Sequence, residues 1–394
     1  MWNQEIKEQR ECNEISQTKL SERVGISREY LSKIENGKVE INNELKERIE
    51  MNLKLLSKDS LNLMIDYVRI RFPTIDYRYI IEKILKIKID FLLYEDRSFY
   101  GYEAQFVYGD ITVMISSNDV KGVLLELKGK GCRQFEYLLT AQGRTWYDFF
   151  YLAIYSNAVF KRIDLAINDK YGILSVPNLI QKCRDEECIS VFHNFRSYGS
   201  GELVNSREDN KNEMGNTLYI GSMKSDIYFC IYEKDKEQLV KNGVILEEAE
   251  IKNRFEIRLK NERATVAIEE LLSERNAESL AFGIIERYIR FVDREEKKRR
   301  TDWKINTNWA YFMGEDREPI KLTMEGEPYQ LERTIQWVDR QVAPTLKMLL
   351  TLDNIKQSEI VQDIMNKTVL TDKHLKIVEQ QILMEDIAEV IYYD

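Results

Sequence analysis

Three segments of this sequence place a carboxylate and a basic side chain on the same face of a predicted strand. They read GVLLELKGKGCR, KRIDLAIND and IKNRFEIRLK, at residues 122–133, 161–169 and 251–260. Because alternate residues of a strand point to the same face, each carboxylate has a basic neighbour two positions away. The carboxylates are Glu126, Asp164 and Glu256, and the basic neighbours are Lys128, Arg162, Arg254 and Arg258.

Carboxylate oxygens of this kind suit a hard divalent cation. Since Mg²⁺ and Mn²⁺ prefer oxygen ligands, Glu126, Asp164 and Glu256 together are predicted to hold one such cation. The flanking arginine and lysine side chains are predicted to bind a phosphate group. For each strand taken alone, a polar face that is only wetted by solvent is the plainer alternative.

Several other kinds of catalytic site are excluded by the residues that the sequence lacks. The chain has two histidines, His193 and His374, and five scattered cysteines, which argues against a zinc or paired-histidine site. It contains neither a G-x-x-x-x-G-K-[ST] phosphate loop nor a G-x-S-x-G elbow. The scattered cysteines, with no secretion signal or long apolar run, predict a cytoplasmic protein that does not enter a membrane.

Residues 217–235, TLYIGSMKSDIYFCIYEKD, are predicted to form two strands around a short turn. On the second strand Tyr228, Cys230 and Tyr232 share one face. A tyrosine hydroxyl, with a pKa near about 10, is a poor nucleophile at neutral pH unless a nearby cation favours the phenolate. The chain has 22 tyrosines, so packing is the plain alternative for each, and the pattern alone selects none of them.

Residues 14–37, EISQTKLSERVGISREYLSKIENG, have the pattern of a helix-turn-helix of the phage-repressor type. Ser16 and Ser27 stand at the N-caps of two predicted helices, and Gly25 supplies the turn between them. The second helix of such a motif offers its first polar residues to the major groove of DNA. The predicted base contacts are Ser27, Arg28, Glu29 and Ser32, with Lys33 on a phosphate. A helical hairpin that binds protein is the alternative.

Composition and periodicity predict an α+β protein in three parts. Its 394 residues include 43% hydrophobic and 32% charged side chains, so the chain can bury a core and has room for several domains. The net charge of −9 does not itself indicate a nucleic-acid binder. The predicted parts are an all-α helix-turn-helix domain (1–60), a largely antiparallel β-sheet domain with packed helices (61–333) and a helical C-terminal region (334–394).

Some local predictions are specific enough to test against a structure. One helix is predicted over Arg133–Ile154, one strand over Ser190–Phe195 and a surface loop over Tyr198–Asn216. In the C-terminal region Pro344 is predicted to interrupt a helix, and Glu379–Ile391 to form a last amphipathic segment.

Four strings in order resemble the replication initiation factor family. They read GVLLELKGKGCR, KRIDLAIND, YIGSMKSDIYFCIYEKD and RFEIRLKNERA. The family comprises the rolling-circle initiators of Gram-positive plasmids and the related MobT-type relaxases of integrative conjugative elements and conjugative transposons. The resemblance covers about residues 60–345, and the helix-turn-helix in front of them is typical of the MobT branch.

The resemblance implies a reaction and assigns roles by position. A tyrosine attacks one phosphodiester at a specific site, leaving a 5′-phosphotyrosine and a free 3′-hydroxyl, and the reverse step rejoins the strand. Tyr232 is the implied nucleophile, with Tyr219 in reserve, and Glu126, Asp164 and Glu256 hold the divalent metal, Mg²⁺ or Mn²⁺. The implied phosphate contacts are Arg162, Arg254, Arg258 and Lys234, and the further DNA contacts are Lys128, Arg133 and Lys224. Met223 departs from the family, which commonly has a basic residue there.

The resemblance also implies partners. These are duplex DNA at a transfer or replication origin, the exposed single strand at the nick site, a host helicase, a conjugative coupling ATPase and a second copy of the chain. The helical C-terminus is the predicted docking surface for such a partner. A non-catalytic helix-turn-helix regulator of a mobile element is the alternative function, since it needs only the N-terminal domain.

Overall fold

The structure is a computed structural model that describes residues 2–201, 213–246, 248–315, 319–327, 335, 338–371, 374, 375, 377 and 378. The chain divides into two compact units. The first consists of Met1–Asp66 and Arg162–Thr323, and the second of Tyr67–Lys161 and Met324–Asp394. The predicted domain boundaries at residues 60 and 333 stay predictions.

Four helices form the N-terminal part of the first unit: α1 (Trp2–Cys12), α2 (Gln17–Val24), α3 (Arg28–Glu35) and α4 (Asn43–Leu55). The predicted caps are confirmed, because the Ser16 hydroxyl accepts from the Lys19 N–H and the Ser27 hydroxyl from the Tyr30 N–H. Gly25 ends α2 with φ +76°, a left-handed conformation that favours glycine. The helix-turn-helix is therefore set by local capping and one glycine turn.

The rest of the chain alternates between strands and helices. In order these are β1 (Leu61–Phe72), α5 (Tyr77–Tyr79), β2 (Leu93–Glu95), β3 (Ala104–Tyr108), β4 (Ile111–Ile115), β5 (Val123–Lys128), α6 (Lys130–Ala141), α7 (Trp146–Tyr155), β6 (Val159–Asp169), α8 (Val176–Arg184), β7 (Cys188–Ser190), β8 (Phe195–Gly201), β9 (Glu213–Ile220), β10 (Ile227–Glu233), α9 (Lys234–Asn242), β11 (Asn253–Lys260), α10 (Asn261–Glu274), α11 (Ala277–Tyr288), β12 (Ile289–Asp293), β13 (Lys304–Ile305), α12 (Thr307–Met313), α13 (Ala343–Lys356) and α14 (Ile360–Lys367). Short π-helical turns cover Ile80–Ile84 and Val338–Val342. The predicted α+β class, with a helix-turn-helix and antiparallel sheet, is confirmed.

The sheet of the first unit has the order β6, β11, β10, β9, β8, and each strand is antiparallel to the next. One face of this sheet is apolar and packs against helices. Its core is a cluster of rings from two strands of the sheet, β12, α11 and α12, namely Phe229, Phe255, Phe291, Phe282, Trp309 and Phe312. The opposite face therefore carries the polar residues of the alternating strands.

In the second unit the antiparallel strands follow the order β2, β3, β4, β5 and then residues 67–72 of β1. The core beside it is formed by rings of α6, α7 and Phe160. Phe135, Trp146, Phe149 and Phe150 are all fully buried there. This packing holds the polar residues of β1 and β5 at fixed positions.

The helix predicted over Arg133–Ile154 is wrong, because two helices, α6 and α7, occupy this stretch. Gly143 has φ +62° between them, and Thr145 and Asp148 form a capping box that starts α7. The apolar residues run on through both helices and therefore suggested a single one. A glycine followed by Thr-x-x-Asp is nevertheless a recognisable signal for the end of one helix and the start of the next.

Four further predictions are compared with the described residues. The strand predicted over Ser190–Phe195 is wrong, because β7 ends at Ser190 to pair with β12 and β8 begins at Phe195 to pair with β9. The surface loop predicted over Tyr198–Asn216 is shorter than predicted, because β8 covers its first residues and β9 its last ones. Residues 202–212 lie outside the described residues. Pro344 stands in the first turn of α13, directly after the π-helical turn Val338–Val342, so the helical stretch changes type at this proline. Residues 379–391 are outside the described residues.

None of the described helices combines the length and apolar character needed to cross a lipid bilayer.

Candidate active site

The polar face of the first unit's sheet carries most of the predicted catalytic and metal-binding residues. Strand register places Tyr232 opposite Arg254 and Cys230 opposite Glu256, across β10 and β11. Across β11 and β6, Arg258 stands opposite Asp164. Residues that alternate along each strand thus form one cluster of charged side chains and tyrosines on this face of the sheet.

Tyr232 donates a hydrogen bond to Glu256: the hydroxyl lies 2.8 Å from Oε1. Burial raises the pKa of Tyr232 well above its ordinary value, the charge of Glu256 raises it further, and Arg254 opposes both effects. The ammonium of Lys234, which also pairs with Glu237 at 2.5 Å, lies 5.5 Å from the centre of the Tyr232 ring. The phenol is therefore neutral at rest, and its proton already points at a carboxylate.

Two carboxylates on this face are bridged by arginines. Arg258 donates to Oε2 of Glu256 through Nη2 at 2.6 Å, and its Nε lies 3.7 Å from Oδ2 of Asp164. Arg162 binds both oxygens of Asp164, at 2.8 and 2.5 Å. Burial raises the pKa of Asp164 to about 6, although Arg162 acts in the opposite direction. The result is a buried chain of alternating negative and positive groups beside Tyr232.

Arg254 is more deeply buried than Arg162 and Arg258 on the same face, since its side chain is 9% exposed. Its guanidinium donates to Asp66 at 2.8 Å and to Asn168 at 2.7 Å. Asp66 and Asn168 were not among the predicted site residues, because Asp66 is 188 positions away in the chain and no local pattern marks it. Arg254 therefore holds neighbouring strands together next to the phenol.

Tyr219, the reserve nucleophile, lies on the same face, opposite Cys230 in the register of β9 and β10. The guanidinium of Arg258 lies 5.9 Å from the centre of its ring. Burial, followed by the adjacent Cys230 thiol, raises the pKa of Tyr219 to about 12. Both tyrosines thus border the cluster, but the hydrogen bond to Glu256 belongs to Tyr232.

Glu126 belongs to the second unit, and its carboxylate is fully engaged there. Lys128 binds Oε2 at 2.7 Å, while the hydroxyls of Tyr67 and Tyr100 donate to Oε1, the latter at 3.0 Å. These donors lower the pKa of Glu126, although burial alone raises it. Glu126 is therefore a charged, buried centre of its own hydrogen-bond network.

The three predicted cation ligands, Glu126, Asp164 and Glu256, already have hydrogen-bond partners. Among the residues that the structure describes, no group of three or more His, Cys, Asp or Glu side chains is placed to hold a metal ion. Each oxygen of Glu126, Asp164 and Glu256 accepts from a hydroxyl or a cationic side chain. The divalent cation stays a prediction.

The remaining predicted DNA contacts differ in their accessibility. Arg28, Glu29 and Lys33 are exposed on α3, as is Lys224 in the turn between β9 and β10. Ser27 caps α3 through its hydroxyl, Ser32 is half-buried, and Lys128 is 58% exposed. Arg133 is buried on α6 and pairs with Glu136 at 2.6 Å, so its placement argues against the predicted DNA contact.

The fold and this cluster define an α+β protein with a helix-turn-helix and a strand tyrosine bonded to a carboxylate–arginine network. Residues 158–365 match the replication initiation factor family, 62–152 the N-terminal domain of rolling circle replication initiation proteins, and 6–55 a helix-turn-helix family. The chain belongs to the replication initiation factor family.

One relative supports this membership, and one solved structure shares the fold. The protein named "Putative DNA relaxase NicK" from Bacillus subtilis (strain 168) is 39% identical over 330 residues, which cover 83% of this chain and 91% of that protein. A solved structure of a rolling circle replication initiator protein from Geobacillus stearothermophilus matches with a TM-score of 0.57 and 24% identity. It covers 67% of this chain and 99% of its own, and the likeness is one of fold.

Proposed function

We propose that this protein nicks and rejoins one DNA strand at a specific origin, through a 5′-phosphotyrosine formed on Tyr232. Membership of the replication initiation factor family and the similarity to a protein named a DNA relaxase support DNA nicking. The observation that carries the choice of nucleophile is the 2.8 Å hydrogen bond from the Tyr232 hydroxyl to Glu256.

The reaction is a transesterification that conserves the number of phosphoester bonds. The Tyr232 oxygen forms a bond to phosphorus, and its proton passes to Oε1 of Glu256, which acts as a general base. The bond from phosphorus to the 3′-oxygen breaks, and that oxygen takes a proton from water to become the free 3′-hydroxyl. Attack of the 3′-hydroxyl on the phosphotyrosine reverses each transfer and closes the strand.

The arginines supply positive charge where the phosphate must sit. Arg258 and Arg162 are 20% and 19% exposed, whereas Arg254 is buried against Asp66 and Asn168. A phosphate that reaches Tyr232 would therefore be bound by Arg258 and Arg162, which stabilise the charge that develops in the transition state. Arg254 positions the strand that carries Glu256.

A divalent cation, Mg²⁺ or Mn²⁺, belongs to this proposal as an untested component. In the first unit Asp164 and Glu256 offer oxygen ligands, but arginines and Tyr232 already donate to them. A chelation experiment tests whether nicking requires the cation.

The other parts of the chain have proposed roles in reaching the nick site. The helix-turn-helix would bind duplex DNA at the origin through the exposed start of α3. Strand separation would come from supercoiling or a host helicase, and a conjugative coupling ATPase would accept the nicked strand. Exposed apolar side chains on α13 and α14, among them Met348, Ile355 and Met365, make these helices the proposed docking surface for such a partner or a second copy.

A plasmid assay tests the reaction. Supercoiled plasmid that carries the element's origin is incubated with protein and Mn²⁺, and open circles with protein attached at a 5′ end are expected. Tyr232→Phe should abolish the adduct while origin binding is retained, and Tyr219→Phe, a matched change on the same sheet face, should keep the adduct. A mobility shift without nicking would instead identify a non-catalytic regulator, and an adduct that persists in Tyr232→Phe but not in Tyr219→Phe would identify Tyr219 as the nucleophile.

A further inference from the structure

The turn between β2 and β3 holds a tyrosine in a backbone conformation that this residue type rarely adopts. The Tyr102 N–H donates to the Phe99 carbonyl at 2.9 Å, which closes a four-residue turn. Its two central residues, Tyr100 and Gly101, have φ +56° and +73°. Turns with two positive φ values favour asparagine, aspartate or glycine at the first central position. Strained positions of this kind cluster at binding sites, so the tyrosine calls for a functional explanation.

The turn presents two adjacent aromatic side chains to solvent. Phe99 is 62% exposed and Tyr100 is 54% exposed. The Tyr100 ring is also held in place, because its hydroxyl donates to Glu126 at 3.0 Å and the Arg69 guanidinium lies 5.0 Å from its centre. A rigid, exposed aromatic surface is expected to bind a flat partner with little loss of conformational entropy.

Positive side chains surround these rings. The ammonium of Lys121 donates to the Gly101 carbonyl and lies 5.3 Å from the centre of the Tyr102 ring. Arg69, on β1, lies against Tyr100, and Lys128 extends into solvent from β5. The nearby Glu126 is 3% exposed and bonded to Lys128, so its negative charge is covered. Arg69 and Lys121 thus place positive charge beside the two rings, which suits a phosphate backbone, and the exposed Glu103, which interacts with Lys121, is a negative group nearby.

We propose that this aromatic turn surface, made of Phe99, Tyr100, Arg69 and Lys121, binds single-stranded DNA. Unpaired bases would stack on Phe99 and Tyr100, while Arg69 and Lys121 bind the adjoining phosphates. Only an unpaired strand offers the faces of its bases, because in a duplex those faces are covered by neighbouring base pairs. The inference rests on the proposed function, in which the strand at the nick site must be held unpaired. Since every base has a flat face, this binding is expected to tolerate any sequence.

Binding of a labelled oligothymidylate to the full-length protein, followed by fluorescence anisotropy, tests the surface. Tyr100→Asn removes the ring but suits the positive φ, and Phe99→Leu keeps an apolar side chain, so both variants should fold. Each is expected to weaken binding roughly tenfold, or about 1.4 kcal/mol for one lost stacked base. Tyr100→Phe, which keeps the ring, should bind within about twofold of the wild type.

A matched control separates this surface from exposed aromatic residues in general. Tyr155, on α7 of the same unit, is 78% exposed, and Tyr155→Leu should leave oligothymidylate binding unchanged. Unchanged binding by a Phe99→Leu, Tyr100→Asn double variant would overturn the inference, as would an equal loss of affinity for a blunt duplex of the same length. Oligothymidylate has no nick site, so the result does not depend on cleavage. Failure of the wild type to nick origin plasmid would refute the proposed function alone.

Discussion

The bond between Tyr232 and Glu256 leads to a specific prediction for Glu256→Gln. The glutamine oxygen can still accept the phenol's hydrogen bond, which spans 2.8 Å in the wild type, but it cannot take up the proton at neutral pH. The other carboxylate oxygen is replaced by an amide nitrogen, which cannot accept the 2.6 Å hydrogen bond from Arg258. Arg258 keeps Asp164 as a neighbour at 3.7 Å, so the cluster should remain folded.

The expected loss follows from the value of a positioned base. General base catalysis contributes about 10²- to 10⁴-fold, or roughly 2.7–5.4 kcal/mol of barrier, so nicking should slow by that factor. Burial and Glu256 hold the pKa of Tyr232 well above its ordinary value, and the phenolate therefore stays scarce at neutral pH. In the variant, the rate should then rise by about tenfold per pH unit as hydroxide replaces the lost base.

Single-turnover cleavage of an oligonucleotide that carries the nick site, measured between about pH 7 and 9, checks both expectations. Glu262→Gln, a change at an exposed carboxylate on α10, is the control and should cleave like the wild type. A Glu256→Gln rate within a few-fold of the wild type, or a flat pH profile, would refute the role of Glu256 as base. Rescue of the variant by additional Mn²⁺ would assign Glu256 to a metal ion instead.

Three other perturbations address the remaining parts of the chain. Arg10→Met leaves the fully buried Glu35 without its partner at 2.6 Å, so the free energy of unfolding of the helix-turn-helix should fall by about 3 kcal/mol. The variant should then lose duplex binding but keep oligonucleotide cleavage. An unaltered urea unfolding curve would contradict this expectation. At Gly122, where φ is +64°, an alanine would put a methyl group 2.1 Å from the Phe72 carbonyl oxygen, so Gly122→Ala should lower the melting temperature. Gly283→Ala is the matched change, because it adds a methyl group in open space within a helix and should raise the free energy of unfolding by up to about 1 kcal/mol. EDTA should abolish nicking, and added Mn²⁺ should restore it. Undiminished cleavage in EDTA would show that the reaction does not need the predicted divalent cation.

Much of the fold could be predicted from local signals. The serine caps and Gly25 determine the helix-turn-helix, and each of them acts within a few residues of the chain. Alternation on β10 and β11 correctly separated the polar face with Tyr232 from the apolar face with Phe229. The failures came where two local signals competed, as at Gly143, where a turn interrupts a stretch rich in large apolar residues.

The site was less predictable, because its contacts depend on strand register. Sequence alternation places Tyr232 and Glu256 on polar faces, but only the pairing of β10 with β11 brings the hydroxyl to the carboxylate. Asp66 and Asn168 became visible as partners of Arg254 only once β1 and β6 were placed. A carboxylate beside an arginine on a strand predicts a charged cluster, yet it does not tell whether the carboxylate binds a cation, an arginine or a phenol.

The raised pKa of Tyr232 affects both directions of the reaction, nicking and closing. A tyrosine with a pKa raised above its ordinary value gives a strong nucleophile once its proton has left, but a poor leaving group when the strand is rejoined. A fixed neighbour that accepts the proton during nicking must, in the reverse step, donate it to the departing phenolate. Glu256 is placed for both steps, because one of its oxygens lies 2.8 Å from the Tyr232 hydroxyl and the other is held by Arg258. Loss of Glu256 should therefore slow closing as well as nicking.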